Sequence, residues 1–469
     1  MTLLGCSAPN NIKPSNKINQ ANVLANSQHL ETATLSHADW PEDDWWRAFN
    51  DTQLIHLVEL SQENSPTLQL ADANLAKASA IIRAADTSLE PHVEAQAGAS
   101  RSRLSRSEDY AYQGNTYGTL YRLGLHANYD FDLWGGNRTA WEATVNQYRA
   151  TEVDHQAAKI ALSSSIVSTY IELANAYRLL DLSTRDLKRT QRIVSITDKL
   201  LNNGLTSEDR LYTAQSGESR AKQQLKQHQL IIEQLKNALA TLVASGPELA
   251  YEIKRPDLAL DTLLEVPKNL PADLLSHRAD IIAAKWRIEA TSANIAAAKT
   301  RYYPNLNLSA MAGFKAVLGD AIFADESRSW QVGPAISLPL FSSQLDANLM
   351  TASADYDTAV AQYNQTLTTA LGDVADTILV LKSVQEQLVD AKNSANLAKK
   401  SYEITENRYQ AGMGSQLEVL IAQQQLLDAE SAVTMIENKQ QTKHVELINV
   451  LGGGFVVPSD NSHSSSIAE

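Results

Sequence analysis

Glu208 and Asp209 form the acidic pair whose setting in this sequence is most suggestive of chemistry. They directly follow a short glycine-containing turn at residues 203–207. Several copies of this turn around one opening would gather carboxylates into a ring, and such rings favour cations in channels. Acids in the first turn of a helix are equally well explained by the helix dipole, which stabilises negative charge there. The sequence leaves both interpretations open.

A second turn of the same form lies at residues 411–415, and the first acid after it is Glu418. Arg408 stands one turn earlier, where it could bridge to a neighbouring helix or remain solvated near a helix C-terminus. Both turns are therefore candidate sites. Their residues are Gly204, Leu205, Glu208, Asp209, Arg408, Gly412, Met413 and Leu417.

Nothing else in the sequence has the pattern of a catalytic or metal site. The ten histidines are scattered singly, and no histidine or cysteine stands at ligand spacing from another. No nucleophile, general base or phosphate-binding loop is recognisable. The net charge of -14 argues against nucleic acid, whose phosphates need a basic face. We therefore expect no enzyme activity, no cofactor and no metal.

Cys6 is the only cysteine, which excludes an internal disulfide. It follows Leu3-Leu4-Gly5 and looks like the cysteine of a bacterial lipobox, which is acylated and becomes the mature N-terminus. Only five residues precede it, however, so the basic and apolar regions of a signal peptide are missing. We expect lipidation at Cys6, and a free thiol near the chain start is the alternative.

Two stretches of the chain repeat each other. Pro91 recurs 213 residues later as Pro304, whereas Gly204 recurs 208 residues later as Gly412. The five residues that the second copy lacks must lie between Pro304 and Tyr356, where each copy changes from helical periodicity to strand-like alternation. The chain therefore contains two copies of one helix-strand-strand-helix-helix unit.

Long helices occupy most of each copy. Apolar residues fall at helical spacing over residues 51–89 and 270–303, and each stretch is stopped by a proline. Residues 136–203 and 344–411 are nearly free of Gly and Pro, and each could span on the order of 100 Å as a helix. Each ends at one of the two turns, after which a second helix returns. The sequence therefore predicts two long helical hairpins. Hairpins alone would also be compatible with a cytoplasmic coiled-coil scaffold, which would need no strands.

Four amphipathic strands are predicted, at about residues 92–106, 117–134, 305–317 and 329–341. In the second strand tyrosine, leucine and phenylalanine on one side alternate with arginine, histidine, asparagine and aspartate on the other. This pattern matches a transmembrane β-barrel, although half-buried strands of soluble proteins alternate in the same way. Tyrosines and a tryptophan in and before this strand favour the membrane, because aromatic residues gather at the lipid headgroups.

Four strands cannot close a barrel around a channel, and an open sheet edge is not tolerated in lipid. Several chains must therefore contribute to one barrel. No run of residues approaches the roughly 18 apolar residues of a membrane helix. The chain would meet a membrane through its strands or through a lipid.

Several motifs resemble the outer membrane factors of tripartite efflux pumps, the TolC-like proteins, and especially their NodT-type lipoprotein branch. The motifs are WWRAFND at 45–51, YDFDLWGG at 129–136, LPADLL at 270–275, LPLF at 338–341 and RYQAG at 408–412. Two positions depart from the family pattern. Arg-Pro-Asp is replaced by Arg278-Ala279-Asp280, and Asp-Gly-Gly-Arg after the fourth strand is replaced by Ser342-Ser343-Gln344.

The resemblance implies a fold that is mostly α with a transmembrane β part. It implies a homotrimer in which four strands per chain build a 12-stranded β-barrel, continued by a periplasmic α-helical barrel. The hairpin turns would lie at the periplasmic entrance, where they close the pore and dock a periplasmic adaptor, the membrane fusion protein. An inner-membrane pump of the resistance-nodulation-division type would supply the cargo, and outer-membrane lipid would surround the strands.

The expected function is thus a passive exit duct for small molecules or drugs. A duct of a type I protein secretion system is one alternative. A periplasmic helical scaffold or adaptor is another, but an adaptor should carry glycine-rich all-β modules, which are missing from the sequence. The corresponding division of the chain is a truncated signal with an extended segment at 1–38, the first repeat at 39–245, an equatorial linker at 246–269, the second repeat at 270–454 and a disordered tail at 455–469.

Overall fold

The computed structural model describes most of the chain as long helices and one small sheet; the described residues are 9, 11–19, 41–103, 117–258, 277–317, 321–340 and 343–456. They form two compact units. The first unit combines the N-terminal segment with residues 73–152 and 283–365, and the second takes the remainder, so both repeats contribute to each. Among the described helices, none combines the length and apolar character that crossing a bilayer requires.

The two repeats have the same order of elements. The first contains a short 3-10 helix at Trp45–Phe49, then α1 Thr52–Asn64, α2 Pro66–Asp86, β1 His92–Arg103, β2 Tyr117–Phe131, α3 Gly136–Asn202 and α4 Glu208–Leu242. The short helix α5 Glu248–Glu252 follows. The second repeat contains α6 Ala279–Thr300, β3 Asn305–Ala316, β4 Arg328–Ser337, α7 Ser343–Gln410 and α8 Gln416–Val450.

The helical stretch predicted at residues 51–89 is present, but it is divided into α1 and α2. The Asp51 carboxylate starts α1 by accepting hydrogen bonds from the N–H groups of Gln53 and Leu54. Ser65 is extended and ends it, because the following Pro66 disfavours a helical residue before it. Pro66 then opens α2, where the missing N–H costs nothing. The second copy is helical from Ala279; residues 270–276 lie outside the described part.

The four strands form one antiparallel sheet in the order β1-β2-β3-β4. In its register Ala95 lies opposite Leu125, Leu125 opposite Ala312, and Ala312 opposite Trp330. All four strands therefore turn their apolar residues to one face. The residues that alternate with these apolar residues lie on the other face, and they include arginine, lysine, histidine, asparagine and aspartate. The amphipathic alternation predicted from the sequence is confirmed.

Two strands end earlier than the sequence suggested, β2 at Phe131 and β4 at Ser337. After β2 the Asp132 carboxylate accepts hydrogen bonds from the N–H groups of Asn137 and Arg138, at 3.0 and 2.8 Å, and so starts α3 at once. β2 has 15 residues and β4 has 10, so the fourth strand is the shorter one in the region where the repeats differ in length.

A buried hydrogen-bond network fixes the start of α1 in the second unit. The Tyr170 hydroxyl, on the fully buried face of α3, donates to the Asp51 carboxylate at 2.9 Å. The same carboxylate accepts from the Asp257 N–H at 3.1 Å, and the Gln53 amide donates to the Tyr170 hydroxyl at 2.8 Å. Burial, followed by the hydrogen bond to Asp51, raises the pKa of Tyr170. The hydroxyl therefore stays protonated and holds three segments of the chain together.

Residues 12–19 run beside α7 without regular secondary structure. The Asp357 carboxylate accepts hydrogen bonds from the Ser15 and Asn16 N–H groups at 2.9 and 2.8 Å, and from the Ser15 hydroxyl at 2.9 Å. Ile12 is buried in a cluster with Tyr302 and other apolar side chains of α6 and α7. Cys6 lies outside the described residues, so its lipidation stays a prediction.

We expect Tyr170→Phe to lower the free energy of unfolding by about 1–3 kcal/mol, because it removes a donor from a buried carboxylate. Circular dichroism during denaturant unfolding in detergent measures the change. Tyr212→Phe is the matched control, since Tyr212 is exposed. Equal unfolding midpoints for the two variants would contradict a stabilising role for the network.

The Asn16 and Ser15 N–H groups hold the pKa of Asp357 below its ordinary value. A carboxylate with a lowered pKa stabilises its contacts above the ordinary value of about 3.9 and loses this effect as the pH falls through the lowered value. We expect the protection factors of the amides of residues 12–19, that is, their exchange relative to the intrinsic rate at the same pH, to fall below about pH 4. Asp357→Asn should have the same effect at pH 7, because the amide loses the negative charge and places an NH2 donor where one carboxylate oxygen accepted from Ser15.

Hydrogen-exchange mass spectrometry of the N-terminal peptide measures this release. Asp355→Asn is the control, because Asp355 is an exposed acid on the same helix two residues away. Protection that is unchanged in Asp357→Asn, or lost equally in both variants, would show that the carboxylate does not hold the segment.

Candidate functional site

The first hairpin turn, between α3 and α4, is a Schellman motif. The Gly204 N–H donates to the Leu201 carbonyl and the Leu205 N–H to the Leu200 carbonyl, both at 2.8 Å. Gly204 has a φ of 72°, which a glycine adopts without strain. Gly204 is therefore required by the geometry of the turn.

The second turn, between α7 and α8, repeats these hydrogen bonds 208 residues later. The Gly412 N–H donates to the Tyr409 carbonyl at 2.9 Å and the Met413 N–H to the Arg408 carbonyl at 2.8 Å. Gly412 has a φ of 74°. The Arg408 side chain is exposed, and no ion pair is found for it among the described residues. The Arg408 carbonyl thus accepts a hydrogen bond within the turn. An ion pair from its side chain to a neighbouring helix stays a prediction.

The acids that follow the two turns have different surroundings. Glu208 and Asp209 lie exposed in the first turn of α4, and a hydrogen bond from Ser207 is the largest cause that lowers the pKa of Asp209. In the second hairpin Glu418 instead closes a capping box with Ser415, with hydrogen bonds of 3.2 and 3.3 Å. Only the first turn thus presents a pair of acids.

Apolar side chains project from both turns. Leu205 is 72% exposed, Met413 67% and Leu417 49% in the single chain. Exposed apolar residues collected at the ends of two hairpins are typical of a protein contact surface. Packing between these turns in neighbouring chains stays a prediction.

An ion-pair ladder, which the sequence reasoning missed, joins α3 of the first hairpin to α8 of the second. Arg178 contacts Glu437 at 3.4 Å, and Arg185 contacts Glu430 at 2.5 Å. On each helix the two residues are seven positions apart, so they lie on one face. Each pair is half-exposed and contributes about 0.2–1 kcal/mol. The heptad spacing was the signal in the sequence, but it does not reveal which helices pair.

The same two helices are also joined close to the turns. Arg189 donates to the Leu420 carbonyl at 3.4 Å and pairs with Asp186 at 2.8 Å. With its amide oxygen turned toward α3, Gln416 accepts from Arg192 at 2.7 Å. The first hairpin therefore holds the beginning of α8 immediately behind the second turn, which connects the two candidate sites through side chains of α3.

Arg278 directly precedes Ala279, where the chain departs from the family pattern, and it has a structural role. Its guanidinium pairs with Asp280 at 2.6 Å and donates to the Val450 carbonyl at 3.2 Å. Arg278 thereby links the start of α6, which begins at Ala279, to the end of α8.

A sheet with one apolar and one polar face, followed in each repeat by a long helical hairpin, matches a known family of membrane proteins. The chain matches the family model described as outer membrane efflux protein over residues 57–245 and 270–453. This chain belongs to that family. The match includes both strand pairs and both candidate turns, and it confirms the resemblance found in the sequence.

Relatives and solved structures of this family resemble the efflux protein over most of its length. It is 30% identical over 431 residues to the toluene efflux pump outer membrane protein TtgC of Pseudomonas putida, covering 91% of this chain and 88% of that protein. It is 31% identical over 366 residues to the fusaric acid resistance protein FusA of Burkholderia cepacia, covering 76% and 68%.

Two solved structures have the same fold. The outer membrane protein VceC of Vibrio cholerae has a TM-score of 0.81 and 34% identity, covering 89% of this chain and all of that one. The outer membrane channel CmeC of Campylobacter jejuni has a TM-score of 0.83 and 26% identity, covering 97% and 96%. The efflux protein therefore has a TolC-like, two-repeat fold, and it is an outer-membrane channel component that extends into the periplasm.

Proposed function

We propose that three copies of this chain assemble into one duct, with four strands from each chain in a 12-stranded barrel. The observation that carries this proposal is the sheet itself. Within the described residues β1 and β4 each have one edge without a partner strand. Trp330 and Ile336 of the apolar face of β4 are 79% and 76% exposed. In lipid each unsatisfied backbone group costs several kcal/mol, so these edges need strands from other chains.

The helices support the same assembly. α3 and α7 have 67 and 68 residues, and at 1.5 Å per residue each is on the order of 100 Å long. Two hairpins per chain give six in a trimer. The ladder between α3 and α8 joins the hairpins of one chain side by side, which suits a continuous helical wall.

We propose that the duct passively carries small organic molecules. The support is that related channel proteins are described by their cargo as toluene, solvent and antibiotic efflux pump outer membrane proteins. A periplasmic adaptor and an inner-membrane pump of the resistance-nodulation-division type would complete the system. The exposed apolar residues Leu205, Met413 and Leu417 offer the adaptor a surface at the turns.

We also propose that Cys6 carries the lipid anchor. Ile12 packs against Tyr302, three residues before β3 begins, and an extended chain from Cys6 reaches at most about 20 Å farther. Acyl chains on Cys6 could therefore insert in the membrane beside the sheet. With the gene product expressed behind a complete signal, palmitate label should be lost in Cys6→Ser; label retained at the N-terminus would exclude this anchor.

The trimer is testable by mass. We expect native mass spectrometry in detergent to give three times the 51.4 kDa of one chain, plus any attached lipid, because only an assembly satisfies both sheet edges. A stable, folded monomer under these conditions would contradict the proposed duct.

The acidic turn is testable by ion selectivity. On the proposed assembly three chains bring up to six carboxylates of Glu208 and Asp209 to one opening, and such a ring concentrates cations. We expect Glu208→Ala with Asp209→Ala to reduce the cation preference measured from reversal potentials in planar bilayers. Helix stability should change little, because the acids lie in an exposed first turn.

Glu248→Ala is a matched control, since Glu248 is also an acid in the first turn of a helix but lies away from the hairpin turns. Unchanged selectivity in an intact trimer of the double variant would leave Glu208 and Asp209 as ordinary helix-start acids.

A further inference from the structure

Two positive side chains lie directly opposite each other on the polar face of the sheet. Arg122 of β2 is paired with Lys315 of β3 in the antiparallel register, and both side chains are exposed. Like charges opposite each other on neighbouring strands destabilise a sheet. The positive charge of Arg122 and Lys315 is therefore available to a negatively charged binding partner.

The described residues around this pair supply no counter-charge. The β1 residue opposite Arg122 is Gly98, and neither Arg122 nor Lys315 makes an ion pair with any described residue. Two other charged residues of the sheet have polar partners close by. Arg328 pairs with Asp325 at 2.7 Å, and Asp130 accepts from the Asn307 amide at 2.7 Å.

A hollow lies beside the two cations. Gly124 and Gly313 face each other in the neighbouring row, and a Cβ on either would overlap the main chain of the opposite strand. The strands approach closely there, and neither glycine contributes a side chain to the space beside them. The result is a cavity of about 280 Å³. Its polar-face side chains are those of Gln96, Arg122, His126, Met311, Lys315 and Ser329.

We propose that this hollow, named here the Arg122–Lys315 site, binds small organic anions that carry a carboxylate. A guanidinium can bind a carboxylate through two parallel hydrogen bonds, and an ammonium adds a second charge. Gln96 and Ser329 offer further donors, and the Met311 thioether gives the apolar part of a ligand a surface. The volume suits one small molecule, because it lies just below the roughly 300–1,000 Å³ of sites for drug-sized ligands.

The site rests on the proposed duct for its role. In the 12-stranded assembly the polar face lines the channel, so three copies would place six cations on one level. Cations aligned around an aqueous channel select for anions. The site would therefore retain and pass anionic cargo within the membrane part of the duct.

Equilibrium dialysis of benzoate against the detergent-solubilised full-length protein tests the site without requiring conduction. We expect benzoate to bind, its neutral isostere benzamide to bind much more weakly, and R122Q/K315Q to weaken benzoate binding at least about tenfold, since two charge-assisted contacts are lost. R101Q/R328Q is the matched control. It also removes two positive charges from the sheet, but from the opposite face.

Bilayer recordings give the second readout. We expect benzoate to reduce the current of the wild type and of R101Q/R328Q but not that of R122Q/K315Q. Equal benzoate binding or block in wild type and R122Q/K315Q, or equal binding of benzamide, would overturn the site. A monomer, or a trimer without conductance, that still binds benzoate through Arg122 and Lys315 would instead contradict the proposed duct and leave the site in place.

Discussion

The hydrogen-bonding requirement of the sheet edges is the constraint on which the rest of this structure depends. A backbone N–H or C=O in lipid has no water to bind, so every strand needs a partner on both sides. Four strands in the order β1-β2-β3-β4 satisfy their inner edges and leave the outer edges of β1 and β4 to other chains. The apolar face of the sheet is left to the lipid, since residues such as Trp330 stay largely exposed. The barrel therefore closes only in the assembly. The long helices then extend the wall of the barrel away from the membrane.

The two repeats are most alike where the backbone has few alternatives. The turns at Gly204 and Gly412 have the same two hydrogen bonds and nearly the same φ, because a left-handed residue is needed to end each helix. They differ in the side chains that follow. Ser415 and Glu418 cap α8 in a closed box, whereas Glu208 and Asp209 stay exposed. The duplication preserved the shape of the hairpin and allowed its charge to change.

The sequence predicted the features that are encoded locally. Helix lengths, turns and strand faces follow from periodicity and from glycine and proline positions, and the unpaired edges follow from the number of strands. The contacts between distant segments were not predicted. Tyr170 and Asp51 are 119 residues apart, and Arg185 and Glu430 are 245 apart. A tyrosine in a helical stripe predicts burial but not its acceptor, and a heptad of arginines predicts a charged face but not its partner. The register that pairs Arg122 with Lys315 is equally invisible, because it depends on how β2 and β3 align.

Charge of opposite sign is placed on two different parts of the chain, which affects how channel selectivity should be interpreted. The acids after the first turn would favour cations, and the Arg122–Lys315 site would favour anions. On the proposed assembly both act on the same ions in series, so the selectivity of the intact channel is a composite of the two. The two preferences could therefore cancel. A wild-type channel with little ion selectivity would still be compatible with an effect of both groups. Because the two groups lie in different compact units, changing one leaves the local structure of the other intact. Opposite shifts in the two variants are then the signature of two separate charged regions.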